Sequence, residues 1–128
     1  MPAYDAAGFS PPAPVALVDL RDQDTGAICP GVPMLIDTGA DVTLVPRTAV
    51  DALGTGVSEG TFYELAGFDA TRSLAPVVRL DLLFLRRTFR GQFLVVDQAC
   101  GVLGRNVLNA IPLLLDGPRL AWEEHRAP

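Results

Sequence analysis

Met34-Leu35-Ile36-Asp37-Thr38-Gly39-Ala40-Asp41 is an apolar run that stops abruptly on a carboxylate and a glycine turn. Consecutive apolar residues bounded by a turn signal read as the end of a buried strand. Asp and Gly supply the turn itself. A carboxylate at that exit, with dry walls on either side, is held rigidly enough to do chemistry. Val42-Thr43-Leu44-Val45 follows, β-branched and apolar, and is expected as the next strand. The tetrapeptide Asp-Thr-Gly-Ala occurs a second time, at Asp24-Thr25-Gly26-Ala27, so context has to choose between the two. Arg21-Asp22-Gln23 before Asp24 is too polar for a buried strand, which makes Asp24 a hairpin-turn residue and leaves Asp37 as the candidate.

About 65 residues further on, Val102-Leu103-Gly104-Arg105-Asn106 supplies a second signature, two apolar residues followed by Gly-Arg-Asn. Together the two stretches resemble the retropepsins, the retroviral-type aspartic peptidases with their cellular and bacterial branch. The resemblance covers roughly residues 15–122. It implies an all-β, retropepsin-like acid-protease fold, with one Asp-Thr-Gly lobe per chain and one or two short helices. No second copy of the motif-bearing fold is found within the chain. The resemblance therefore implies a homodimer that builds its site from two Asp37 residues and hydrolyses peptide bonds as an aspartic endopeptidase. Two carboxylates meeting on a two-fold axis cannot both ionise near neutral pH, so the pair shares one proton. One carboxylate then takes a proton from a bound water while the other polarises the scissile carbonyl.

The same resemblance assigns roles to the neighbouring residues. Asp37, Thr38 and Gly39 form the catalytic loop, the Thr38 hydroxyl bonding across the dimer and Gly39 letting the backbone approach the substrate. Ala40, Asp41, Ala66, Gly67 and Phe68 contact the substrate, the last three at the tip of a closing hairpin over residues 59–73. Gly104, Arg105 and Asn106 support the site, with the Arg105 guanidinium expected to bind the Asp41 carboxylate in two places. An extended peptide or protein would bind by strand addition. Val42, Phe68 and Ile111 are named as apolar pocket walls from their position relative to the motifs.

Composition narrows the alternatives. A chain of 128 residues suits one core. All ten basic residues are Arg. Schiff-base, Ser-Lys and P-loop chemistries need a Lys that is absent. The one histidine, His125, lies near the C-terminus, a poor foundation for a Ser-His-Asp or Cys-His site, and a His-rich metal site is ruled out. Cys29 and Cys100 are too few for a zinc cluster and read as buried free thiols. No metal and no cofactor are expected. A net charge of −5 disfavours nucleic acid as a partner. No apolar run reaches the roughly 18 residues that span a bilayer, so no membrane association is expected and the cytoplasm is the default location. Gly54-Thr55-Gly56-Val57-Ser58-Glu59-Gly60 imitates a dinucleotide loop, but its third Gly falls one position late and no apolar strand precedes it.

Along the chain, residues 1–14 are rich in Pro and Ala and read as a flexible arm that could cover the site. The peptidase domain is expected over residues 15–124. Its strands fall at 15–20, 27–28, 32–36, 42–45, 76–85 and 89–96, with a turn near Arg86-Arg87. Pro46 is expected as the first residue of a helix over 46–53, stopped by Gly54. A short helix is expected over 105–109, and a hairpin through Asp116-Gly117 closes the chain. The rival reading is a retropepsin-fold module that binds peptides or dimerises without cutting. Another is a structural domain in which Asp37 is only a turn residue.

Overall fold

The computed structural model describes residues 1–54, 58–66 and 72–126; for residues 58–66 and 72–74 the backbone is described. The strands are β1 (Val15–Arg21), β2 (Ile28–Ile36), β3 (Leu44–Pro46), β4 (Ser58–Ala66), β5 (Arg72–Phe84), β6 (Arg87–Val96), β7 (Gly101–Leu103), β8 (Leu113–Asp116) and β9 (Ala121–Glu124). Two short helices interrupt them, α1 (Arg47–Leu53) and α2 (Arg105–Leu108). Seven strands form one sheet in the order β1-β2-β7-β3-β6-β5-β4. β1 also pairs with β5, Leu20 opposite Leu82. The sheet thus closes on itself into a barrel, with β4 added outside β5.

Closure follows from simple alternation. Ala16, Val18 and Leu20 on β1 point inward, as do Val32, Met34 and Ile36 on β2, and all six are buried. They meet Leu80, Leu82 and Phe84 of β5, Leu103 of β7, and Ala49, Val50 and Leu53 of α1 in one continuous core. Each fully buried Leu or Val contributes about 1.5–3 kcal/mol relative to exposure. Phe93, Leu94 and Val95 are buried in succession on β6 because that strand is covered on both faces, with Leu94 joining Ala75 and Val77 in a second cluster.

Three expectations shift in detail. Residues 28–36 make one strand where two short ones were expected, Gly31 absorbing a positive φ of 66° within it. Pro46 is the last residue of β3, caps α1 in extended conformation, and the helix begins at Arg47. The β5–β6 turn lies at Leu85-Arg86, both with positive φ.

Residues 1–14, expected as a flexible arm, are tied down by their backbone. Ala3 bridges to Ala121, the amide of Trp122 donates to the carbonyl of Pro2, and the amide of Tyr4 donates to that of Leu120. The amide of Ile36 donates to the carbonyl of Pro14 at 3.0 Å. A Pro- and Ala-rich segment cannot build a core of its own, but it can use hydrogen-bonding edges that the folded domain already offers. Tyr4 also packs against the main core. Trp122, which the sequence left between core and interface, is buried, stacks obliquely on Phe84 and donates its indole N–H to the carbonyl of Val15.

Candidate active site

Asp37 is the first residue beyond β2. β7 runs parallel beside β2, pairing Leu35 with Val102 and Ile36 with Leu103, and β3 crosses on the other side of β7 with Leu44 opposite Val102. The two signature stretches are therefore adjacent strands. The ladder continues into the loop: the Asp37 amide donates to the Leu103 carbonyl at 3.1 Å, and the Arg105 amide donates to the Ala40 carbonyl at 2.8 Å. Within the turn the Ala40 amide donates to the Asp37 carbonyl, and the Gly39 amide to Asp37 Oδ1 at 2.9 Å. The carboxylate is thus oriented by its own loop and remains partly exposed.

Glycines make the crossing possible. A Cβ on Gly104 would fall well inside contact distance of the Val42 carbonyl, and one on Gly101 would meet the Leu44 carbonyl and the Met34 sulfur. The conformation at Gly104 is extended and open to any residue; close approach is what requires glycine there.

Arg105 supports the loop by a route other than the expected one. Its Nη1 donates to the Thr38 carbonyl at 2.7 Å, while Asp41 is exposed and makes no ion pair among the described residues. The short α2 begins at Arg105 and turns the guanidinium back along the Asp37 loop, where it meets the Thr38 carbonyl and not the Asp41 side chain. Thr38 itself is exposed, and its hydroxyl has no partner among the described residues.

Sequence reasoning passed over Thr43. It is buried to 1% exposure, its hydroxyl donates to Asn106 Oδ1 at 2.7 Å, and it accepts the Gly104 amide at 3.0 Å. One side chain thus ties the residue just before β3 to both ends of the Gly-Arg-Asn turn. The available signal was a hydroxyl at an inward position of an apolar strand, where a polar group must find partners.

Other expected site residues fall differently. Ala66 ends β4 opposite Arg72; Gly67 and Phe68 lie outside the described residues. Val42 packs against the Ala75, Val77 and Leu94 cluster, whereas Ile111 is buried in the main core and is not a pocket wall in the single chain. Asp24 sits exposed in a turn whose Asp24 and Thr25 amides donate to Asp22 Oδ1. A cavity of about 590 Å³ lined by Leu17, Pro33, Phe84 and Trp122 holds no residue of the Asp37 loop. Among the described residues no group of three His, Cys, Asp or Glu side chains could hold a metal ion, and no helix is long and apolar enough to cross a membrane.

The chain is similar to the solved structure of EIAV protease complexed with the inhibitor HBY-793, with a TM-score of 0.57 and 21% sequence identity. The match covers 77% of this chain and 86% of that chain. No protein-family model and no curated protein matches it. The fold is all-β and retropepsin-like, without pointing to a particular branch.

Proposed function

We propose that the chain is an aspartic endopeptidase that works as a homodimer, its site built from one Asp37 loop of each copy. The observation that carries this reading is the mounting of Asp37: a carboxylate at the end of β2, held by the parallel β7 ladder and by Arg105 on a retropepsin-like fold. A turn residue with no task would not require a buried crossing of three strands beneath it. In the dimer the unused Thr38 hydroxyl would bond to the opposite loop and fix the two carboxylates in register.

The carboxylates hold one proton between them. The ionised one takes a proton from water, the water oxygen attacks the scissile carbonyl carbon, and the protonated one donates to the carbonyl oxygen. A tetrahedral diol forms; a proton passes to the amide nitrogen, the C–N bond breaks, and an acid and an amine leave. Substrate backbone would pair with the loops as an added strand. The dimer surface would draw on the β8–β9 hairpin, where Leu114, Leu115 and Leu120 are each more than 40% exposed.

The test is mass-spectrometric cleavage of a diverse peptide library from mildly acidic to neutral pH, by the natural chain and Asp37→Asn in parallel. Cleavage by the natural chain, reduced by at least about 10²-fold in the variant, is expected. A folded, dimeric preparation that cuts nothing would overturn the reading in favour of a binding module.

A further inference from the structure

The first strand is apolar on both faces for half its length. Ala16, Val18 and Leu20 fill the barrel core, which leaves Val15, Leu17, Asp19 and Arg21 on the outer face. The last two have polar partners there: Asp19 Oδ1 accepts the Gly31 amide, and Arg21 pairs with Asp81. Leu17 has no such task, and it stands 68% exposed opposite Pro33 of β2. A strand that is apolar on both faces is one that is covered on both.

Beside Leu17 opens a cleft of about 590 Å³, a volume in the range of small-molecule sites. Val15, Leu17 and Pro33 line it from β1 and β2, and the aromatic pair Phe84 and Trp122 lines it as well. Leu85 joins them, held at a φ of 49° in a turn where Gly or Asn would sit without strain. A large apolar side chain kept against its backbone preference, at the edge of a cleft, points to a use for it there.

The N-terminal segment completes the cleft through Ala3 and Asp5. Among the described residues that line it, Asp5 alone is charged. Its Oδ1 accepts the amides of Ala7 at 2.9 Å and Gly8 at 3.0 Å, while Oδ2 accepts no hydrogen bond among the described residues. Arg87, two residues after Leu85, is engaged elsewhere: its guanidinium donates to Glu124 at 3.1 Å and to the Leu85 carbonyl at 3.3 Å. A carboxylate oxygen and aromatic rings in one apolar cleft select a cation, since an ammonium is attracted both to the carboxylate and to a ring face. The net charge of −5 adds a general attraction of the same sign.

We propose that this cleft binds a small organic ammonium, a primary amine on an apolar body of about phenylalkyl size, with the body against Leu17, Leu85 and Trp122 and the nitrogen at Asp5. The site is separate from the Asp37 loop and stands independently of the peptidase reading. Trp122 is the only tryptophan of the chain, so its emission reports from the cleft itself. The full chain is titrated at low ionic strength with phenylbutylammonium, phenylbutanol and phenylbutanoate, which share one body and differ in charge. Saturable binding is expected, the ammonium at least about threefold tighter than the alcohol and the carboxylate weakest. Asp5→Asn keeps an oxygen for the Ala7 and Gly8 amides and should bring the ammonium down to the level of the alcohol. Leu17→Thr, at a side chain already exposed, should weaken ammonium and alcohol alike by several-fold. A response that does not saturate, or an alcohol bound as tightly as the ammonium by the natural chain, would overturn the proposal. So would an ammonium preference that survives Asp5→Asn. Peptide cleavage is read at no step, so failure of the peptidase reading would leave either result standing.

Discussion

The hydroxyl of Thr43 stands 2.7 Å from Asn106 Oδ1 and 3.0 Å from the Gly104 amide, and so clamps the residue just before β3 to a turn 63 residues away in sequence. Both bonds are formed by one buried oxygen. Thr43→Val keeps the shape but leaves the Gly104 amide without its partner. It should cost about 1–3 kcal/mol in denaturant unfolding, while Thr43→Ser, which keeps the oxygen, should cost less.

Gly104→Ala addresses the crossing itself. Its Cβ would press on the Val42 carbonyl, a backbone atom that cannot rotate away. The expected loss is about 1–3 kcal/mol, read as a lower Tm, and on the peptidase reading cleavage should fall at temperatures where the variant is still folded.

Arg105→Lys should separate support from stability. Lysine keeps the charge but not the planar fork that reaches the Thr38 carbonyl. Unfolding free energy should change by less than about 1 kcal/mol, because Arg105 is exposed. On the peptidase reading kcat should drop more than KM rises, since positioning of Asp37, and not substrate affinity, is what the contact secures.

Asp81 makes stability depend on acid. Its carboxylate is fully buried between Arg90 and Arg21, at 3.0 and 2.8 Å. The hydrogen bond from Arg90, with help from Arg21 and against the opposing effect of burial, holds its carboxyl below the usual 3.8. The unfolded chain therefore binds this proton more readily than the folded one, and stability rises with pH through the interval between the two values. The contribution is complete above about pH 4 and is lost as pH falls through the folded value. Asp81→Asn should cost about 1.5 kcal/mol at neutral pH, towards the low end for charged hydrogen bonds because both guanidiniums reach solvent. The gap between variant and natural chain should narrow in unfolding curves taken progressively below pH 4.

Leu114→Lys tests assembly. Leu114 is 42% exposed on β8, opposite Glu123 of β9. If the hairpin forms the dimer surface, the charge should weaken association by at least about 10-fold in sedimentation equilibrium, and activity per chain should become concentration-dependent. Unchanged association would move the dimer surface elsewhere.

Much of the geometry around Asp37 was legible because its signals are local. An apolar run ending in Asp-Thr-Gly gives β2 and its loop, and Gly104 announces a close approach. What escaped were long-range and backbone-level choices. Arg105 has two acceptors in reach of a sequence argument, a carboxylate and a carbonyl, and only the turn of α2 selects the carbonyl of Thr38. The positive φ angles at Leu85 and Arg86 carry no glycine or asparagine to mark them. Residues 1–14 look unstructured by composition, yet Ala3 pairs with Ala121 at the far end of the chain, a contact with no local signature.

The parallel pairing of Ile36 with Leu103 also sets a timetable. A ribosome that has delivered Asp37 has not yet made the strand that will hold it, and residues 101–106 must emerge before the loop has anything to hang from. The nascent chain therefore carries the Asp37 loop without its parallel partner until residues 101–106 have emerged, and refolding from denaturant must close these distant partners together, which favours slow, concerted kinetics over stepwise assembly from one end.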